Sequence, residues 1–196
     1  MNFLPGELYH IYNQGNNKQL IFFSQDNYLY FLKKIRKHIL PFCDLLAYCL
    51  LPNNFRLMLH ANTKSIGKIK CGAVKMSLLS NGFRILESSY ARAINKQECR
   101  TGSIFQQNTK LELLTTKSGF ASSNSLPLAC FKSIHQAPMT SGLAQKMDEW
   151  GFSSFNEYMG KASENLCNRI LAFNLLNLSS EIFYEECYSI SNLIEL

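Results

Sequence analysis

Two strand-length segments meet at Pro52-Asn53. Leu45 to Leu51 is a nearly continuous apolar run, and Phe55 to His60 alternates. In the second segment Phe55, Leu57 and Leu59 share one face, while Asn54, Arg56, Met58 and His60 share the other. Such a break joins antiparallel neighbours across a short turn. The pair therefore predicts a sheet with one core face and one face that presents polar groups.

The flanking segments extend this pattern. Glu7 to Asn13 alternates and reads as a strand, closed by the turn residues Gln14-Gly15-Asn16-Asn17. Ser24 is placed to cap a helix whose apolar stripe is Tyr28, Phe31, Leu32, Ile35 and Ile39, with Pro41 as its stop. Residues 61–72 read as a loop containing lysines and glycines. A long helix is predicted from about Val74 to Asn95, with Leu79, Phe83, Leu86, Tyr90 and Ile94 facing the core and Gly82 weakening its middle. Leu111 to Thr115 reads as a strand and residues 115–126 as a mobile linker. A further helix is predicted from Ser125 to about Gln136, stopped by Pro138. Beyond Cys167 two short helices are expected, the second capped by Ser179 or Ser180. Strand, helix, strand, strand, helix, strand is the ferredoxin-like order: an α+β fold with an antiparallel sheet and helices on one face. The expected division is a domain at 1–160 and a helical extension at 161–196.

Composition narrows the function classes. With 46% hydrophobic and 17% charged residues in a chain of 196, the protein can bury a core and is not of disordered type. No apolar run has the length of a membrane span, and Met1 to Leu8 lacks the pattern of a signal peptide. The seven cysteines contain no Cys-x-x-Cys pair, so free thiols in a reducing cytoplasm are expected. The charge is unevenly spread: +3 over residues 1–60, +7 over 61–120 and −4 over 121–196. A basic middle suits a polyanionic partner such as nucleic acid.

Five separated motifs occur in order. They are Tyr9-His10-Ile11-Tyr12-Asn13-Gln14-Gly15-Asn16-Asn17-Lys18, Leu51-Pro52-Asn53-Asn54-Phe55-Arg56-Leu57, Arg100-Thr101-Gly102-Ser103-Ile104-Phe105-Gln106, Ile134-His135-Gln136-Ala137-Pro138 with Gly142-Leu143, and Trp150-Gly151-Phe152-Ser153-Ser154-Phe155. Together they resemble the IS200-like single-tyrosine (HUH) transposases, and most the branch associated with repeated extragenic palindromes. The resemblance covers about residues 3–160. It implies a ferredoxin-like domain that cuts and rejoins single-stranded DNA near hairpins. In active members a His-hydrophobic-His pair on a strand holds a divalent metal (Mg or Mn), and a helix tyrosine attacks the scissile phosphate.

This sequence departs from the family where that chemistry resides. The histidine pair falls on Asn54 and Arg56, and the tyrosine falls on Ser133. Gln14 stands at the usual arginine and Ala137 at the usual asparagine. An arginine has no lone pair for a metal, and a serine without a base is a weak nucleophile. The resemblance thus implies a transposase-family protein with a degenerate catalytic site that binds single-stranded or hairpin DNA and takes no cofactor. Its expected DNA contacts are Lys18, Arg84, Arg92, Lys96, Arg100 and Lys110, with Phe105 and Gln106, and Arg56 as a phosphate clamp in place of the metal. One alternative is an active nickase with Tyr90 as substitute nucleophile and metal held by His10, His60 and His135. Another is a decayed, non-functional transposase. The family contains monomers and homodimers.

Overall fold

The computed structural model describes residues 1–114, 126–162 and 165–189. Six strands are formed: β1 (Leu8–Gln14), β2 (Cys43–Leu51), β3 (Asn54–Ala61), β4 (Lys68–Cys71), β5 (Val74–Ser77) and β6 (Lys110–Leu113). The helices are α1 (Gln25–His38), α2 (Leu78–Gln97), α3 (Leu126–Thr140), α4 (Phe155–Tyr158), α5 (Arg169–Leu176) and α6 (Ser180–Tyr188). The main sheet has the order β2-β3-β1-β6 and is antiparallel throughout. With α1 and α2 as crossovers this is the ferredoxin-like α+β arrangement. The ribbon β4–β5 is an insertion ahead of α2.

The alternation predicted for residues 54–60 sets the two faces of the sheet. Tyr9, Ile11, Phe55, Leu57 and Leu59 join Phe31, Ile35, Phe83, Leu86 and Tyr90 in one core beneath α1 and α2. These helices approach closely at Gly82, where a Cβ would lie 2.2 Å from the carbonyl oxygen of His38. The glycine that costs helix propensity is therefore what allows the contact. Burial of such aromatic and branched side chains contributes about 1.5–3 kcal/mol each.

The opposite face is not left open. Leu8, Leu46, Ala47, Cys49, Leu51 and Met58 pack with Leu128, Phe131 and Ile134 of α3, and with Phe155, Ala172, Leu176 and Phe183 of the later helices. The C-terminal extension therefore shares a core with the sheet. A bulge between Leu45 and Ala47 marks where it attaches: Asn168 N donates to Leu45 O (2.8 Å), and the Tyr158 hydroxyl donates to Leu46 O (2.5 Å).

Several predicted boundaries move. Val74–Ser77 is a strand rather than the start of the long helix, and Lys68–Cys71 is its partner within the expected loop. Ser77 ends the ribbon and caps α2, its side chain accepting from Ser80 N at 3.2 Å. Pro138 does not stop α3, because it falls in the last turn and forgoes only one intrahelical bond. The stop is Gly142 at φ +68, where Leu143 N reaches back to Pro138 O (2.9 Å). The linker expected at 115–126 lies outside the described residues apart from Leu126, as does Ser125.

Candidate nucleic-acid interface

Cross-strand pairing assembles a polar row on the α3 side of the sheet. Lys110 of β6, Tyr12 of β1 and Arg56 of β3 are direct partners across three strands. One step along the strands Gln14 opposes Asn54, and in the other direction Glu112 opposes His10. Directly opposed residues share a face, so these side chains form one surface.

Glu112 organises the row. Tyr12 donates its hydroxyl to Glu112 Oε1 at 2.7 Å, and His10 Nδ1 lies 3.2 Å from Oε2. The His10 and Tyr12 rings stack with centroids 4.7 Å apart. Burial, then the bond to Glu112, pushes the Tyr12 phenol up to about 12. Burial lowers the pKa of His10 despite Glu112, and its buried Nε2 has no hydrogen-bond partner among the described residues. Asn54 donates to Asn53 Oδ1 (2.8 Å), while its own buried Oδ1 has no partner among the described residues. Arg56 is half-buried, and its charge acts on His10, Tyr12, Cys49 and Cys130. Its guanidinium makes no hydrogen bond or ion pair with the described residues.

Ser133 lies on α3, half-buried, and its hydroxyl donates to Cys130 O at 2.8 Å within its own helix. No basic side chain accepts its proton among the described residues. Tyr90 is fully buried and donates to Ile21 O at 2.6 Å, and burial raises its pKa further. That placement excludes Tyr90 as a nucleophile and makes it a core tyrosine.

The proposed histidine triad does not assemble. His135 is fully buried in an aromatic cage that includes Phe131, Phe155, Tyr158 and Phe183. Its Nε2 lies 2.8 Å from Ser154 Oγ, which also accepts from Tyr48 N (2.9 Å). Burial drives the His135 pKa down to about 3. His60 Nδ1 is instead 3.6 Å from Asp44 Oδ2. Among the described residues no group of three or more His, Cys, Asp or Glu side chains is placed to hold a metal ion. The His135–Ser154 contact also explains two of the motifs: they lock α3 to the segment that borders β2.

The expected DNA contacts do not form one patch. Lys110 and Arg56 share the polar row, whereas exposed Arg84, Arg92 and Lys96 project from α2 on the far side of the sheet. Lys18 is exposed on a 3-10 turn, and Arg100 donates to Gln19 Oε1 at 2.7 Å nearby. Phe105 is only 5% exposed and packs on Phe31, Phe55 and Tyr90, so it cannot stack on a base. Gln106 is half-buried, its backbone N donating to Gln14 O at 2.9 Å. Sequence reasoning missed Lys64, Lys68, Lys70 and Lys75, all exposed on or beside the β4–β5 ribbon. The alternation Lys68-Ile69-Lys70-Cys71 followed by Gly72 was the available signal.

No family model matches the sequence, and a comparison with curated proteins finds no match. A solved structure does match in shape. The chain is similar in fold to a REP-associated tyrosine transposase. That protein was solved bound to a REP hairpin; the TM-score is 0.56 at 12% identity, over 85% of this chain and 87% of that one. At this identity the likeness bears on the α+β fold alone. Among the described residues no helix is long and apolar enough to cross a membrane.

Proposed function

We propose that this chain is a transposase-type protein that binds hairpin-forming single-stranded DNA without cutting it. The observation that carries the reading is the row Lys110–Tyr12–Arg56, whose arginine has no hydrogen-bond or ion-pair partner among the described residues. A half-buried, unpaired guanidinium costs stability, so its retention suits an anionic ligand. In the transposase-type reading it stands where a metal would sit. The donor set does not suit a divalent cation, because a permanent cation occupies the face and Asn54 offers one carbonyl oxygen. The degenerate site thus exchanges a metal–phosphate contact for a guanidinium–phosphate contact. The hairpin ligand of the structural neighbour supports DNA as the anion.

Fluorescence anisotropy with a labelled DNA hairpin, an unstructured strand and a duplex, across a salt series, tests this. Preference for the hairpin at physiological salt, with about tenfold loss in Arg56→Gln, is the expected result. Equal, salt-sensitive binding to all three, or none, would overturn it.

The Tyr12–Glu112 bond favours a second reading, retained cleavage. In that case Tyr12 Oη would bond to phosphorus, Glu112 would take its proton, and the strand's leaving oxygen would be protonated by solvent. The phenol pKa of about 12 counts against it. A covalent protein–DNA adduct that disappears in Tyr12→Phe would establish this reading over the first.

A further inference from the structure

From residue 45 to residue 86 the chain has no Asp or Glu and carries Arg56, Lys64, Lys68, Lys70, Lys75 and Arg84. Five of these cations lie on or beside the β4–β5 ribbon. Its pairing sorts the side chains by face. Lys70 opposes Lys75 and Lys68 opposes Ser77 on one side, while Ile69 opposes Met76 and Cys71 opposes Val74 on the other. Ile69, Cys71 and Met76 are half-buried, and the Cys71 thiol meets Asn81 of α2 at 3.4 Å. Lys68, Lys70 and Lys75 are all exposed. The ribbon therefore packs most of one face, with Val74 at its tip left exposed, and presents a lysine face outward.

That arrangement is not explained by folding. Like charges directly opposite across two strands are destabilising. A two-stranded ribbon has little stability of its own to spare. Lys68 and Lys75 also line a cleft of about 520 Å³ with Asn2, Arg84, Gln107 and Asn108. Arg84 is held in place by Asn81 Oδ1, at 3.1 Å from Nε and 2.9 Å from Nη2. The one carboxylate in the cleft, Glu87, is engaged by Asn13 and Thr109, and burial raises its pKa. The cleft thus offers cations and amide groups to a ligand with a regular array of negative charge.

We infer that the β4–β5 ribbon grips the double-stranded stem of the hairpin through its major groove, with Lys68, Lys70, Lys75 and Arg84 on the flanking phosphates. This rests on the hairpin-binding reading and assigns a separate surface to the paired part of the ligand. The dimensions agree. Two strands lie about 4.8 Å apart, and the B-form major groove, about 12 Å wide, admits such a two-stranded ribbon. The deep, narrow major groove of an RNA stem does not.

The test uses the full chain and a labelled DNA hairpin. Lys70→Ala/Lys75→Ala is compared with Lys33→Ala/Lys37→Ala on α1, which removes the same charge. The ribbon variant is expected to weaken hairpin binding about tenfold and to lower the slope of log K against log salt by about 1.8, for two lost phosphate contacts. Its affinity for the unstructured strand should change less than twofold, and its melting temperature should stay level or rise. Methylation of stem guanines at N7 should weaken the wild type, and an RNA stem of the same sequence should bind at least tenfold more weakly. Equal losses in the ribbon and α1 variants, or insensitivity to N7 methylation, would overturn the inference while leaving hairpin binding intact. No hairpin preference in the wild type would remove both.

Discussion

On the α1–α2 side of the sheet, Tyr9, Ile11, Phe55, Leu57 and Leu59 pack into an apolar core and are at most 3% exposed. On the α3 side the same two strands present His10, Tyr12, Asn54 and Arg56 beside Leu8 and Met58. The first face is a hydrocarbon core and needs no ligand to explain it. The second is half core and half polar row, with bare atoms at His10 Nε2 and Asn54 Oδ1. Buried polar atoms are normally paired, so each bare atom is a cost that folding alone does not require. Both faces thus bury apolar side chains, and the polar row is what sets the second apart.

The largest expected effect breaks the first face. Phe55→Ala, at a fully buried position, should cost about 3–5 kcal/mol, read as a lowered denaturation midpoint. A loss below about 1 kcal/mol would count against this face as a stabilising core.

The second largest concerns acid. His135 has a folded pKa of about 3 against an ordinary value of 6.5, so the folded state resists the proton that the unfolded state accepts. Its stabilisation is full above pH 6.5 and is lost as pH falls from there toward 3. Between pH 6.5 and pH 4 the loss should be about 3 kcal/mol. Replacement by Phe should remove that part of the acid sensitivity. An unchanged profile in His135→Phe would assign the sensitivity elsewhere.

Arg56→Met separates the two faces most sharply. Stability should hold or rise by about 1 kcal/mol, because an unpaired cation leaves a half-buried site, while hairpin affinity falls. A melt lowered together with binding would make Arg56 structural. The smallest effect is expected at Glu87→Gln, within about 0.5 kcal/mol, because the amide keeps an oxygen to accept from Thr109 and Asn13.

Legibility in the sequence followed burial. Residues 54–60 alternate because one face meets α1 and α2, and that pattern is visible without coordinates. Tyr90 was readable as a core residue for the same reason. The β4–β5 ribbon escaped because its alternation is between lysine and half-buried residues, a weak hydropathy contrast. Phe105 was misplaced because an aromatic in a basic motif has no local mark of burial; its bridge to Gly15 and its contacts with Phe31, Phe55 and Tyr90 are long-range. The partners of His135 are a serine 19 residues later and the Cys187 thiol 52 residues later, relations that spacing does not reveal.

The β2 bulge has a consequence for biosynthesis. Leu46 receives its hydrogen bond from Tyr158, 112 residues further along the chain. At about 5–20 residues per second, a ribosome takes of the order of ten seconds to deliver that partner. During this interval the sheet can close over α1 and α2 while Leu46, Ala47, Cys49, Leu51 and Met58 still face solvent. The nascent chain therefore passes through a half-covered, sticky intermediate. A ribosome stalled before α3 should hold a species that binds chaperones and hydrophobic dyes, and release of the full chain should end that exposure.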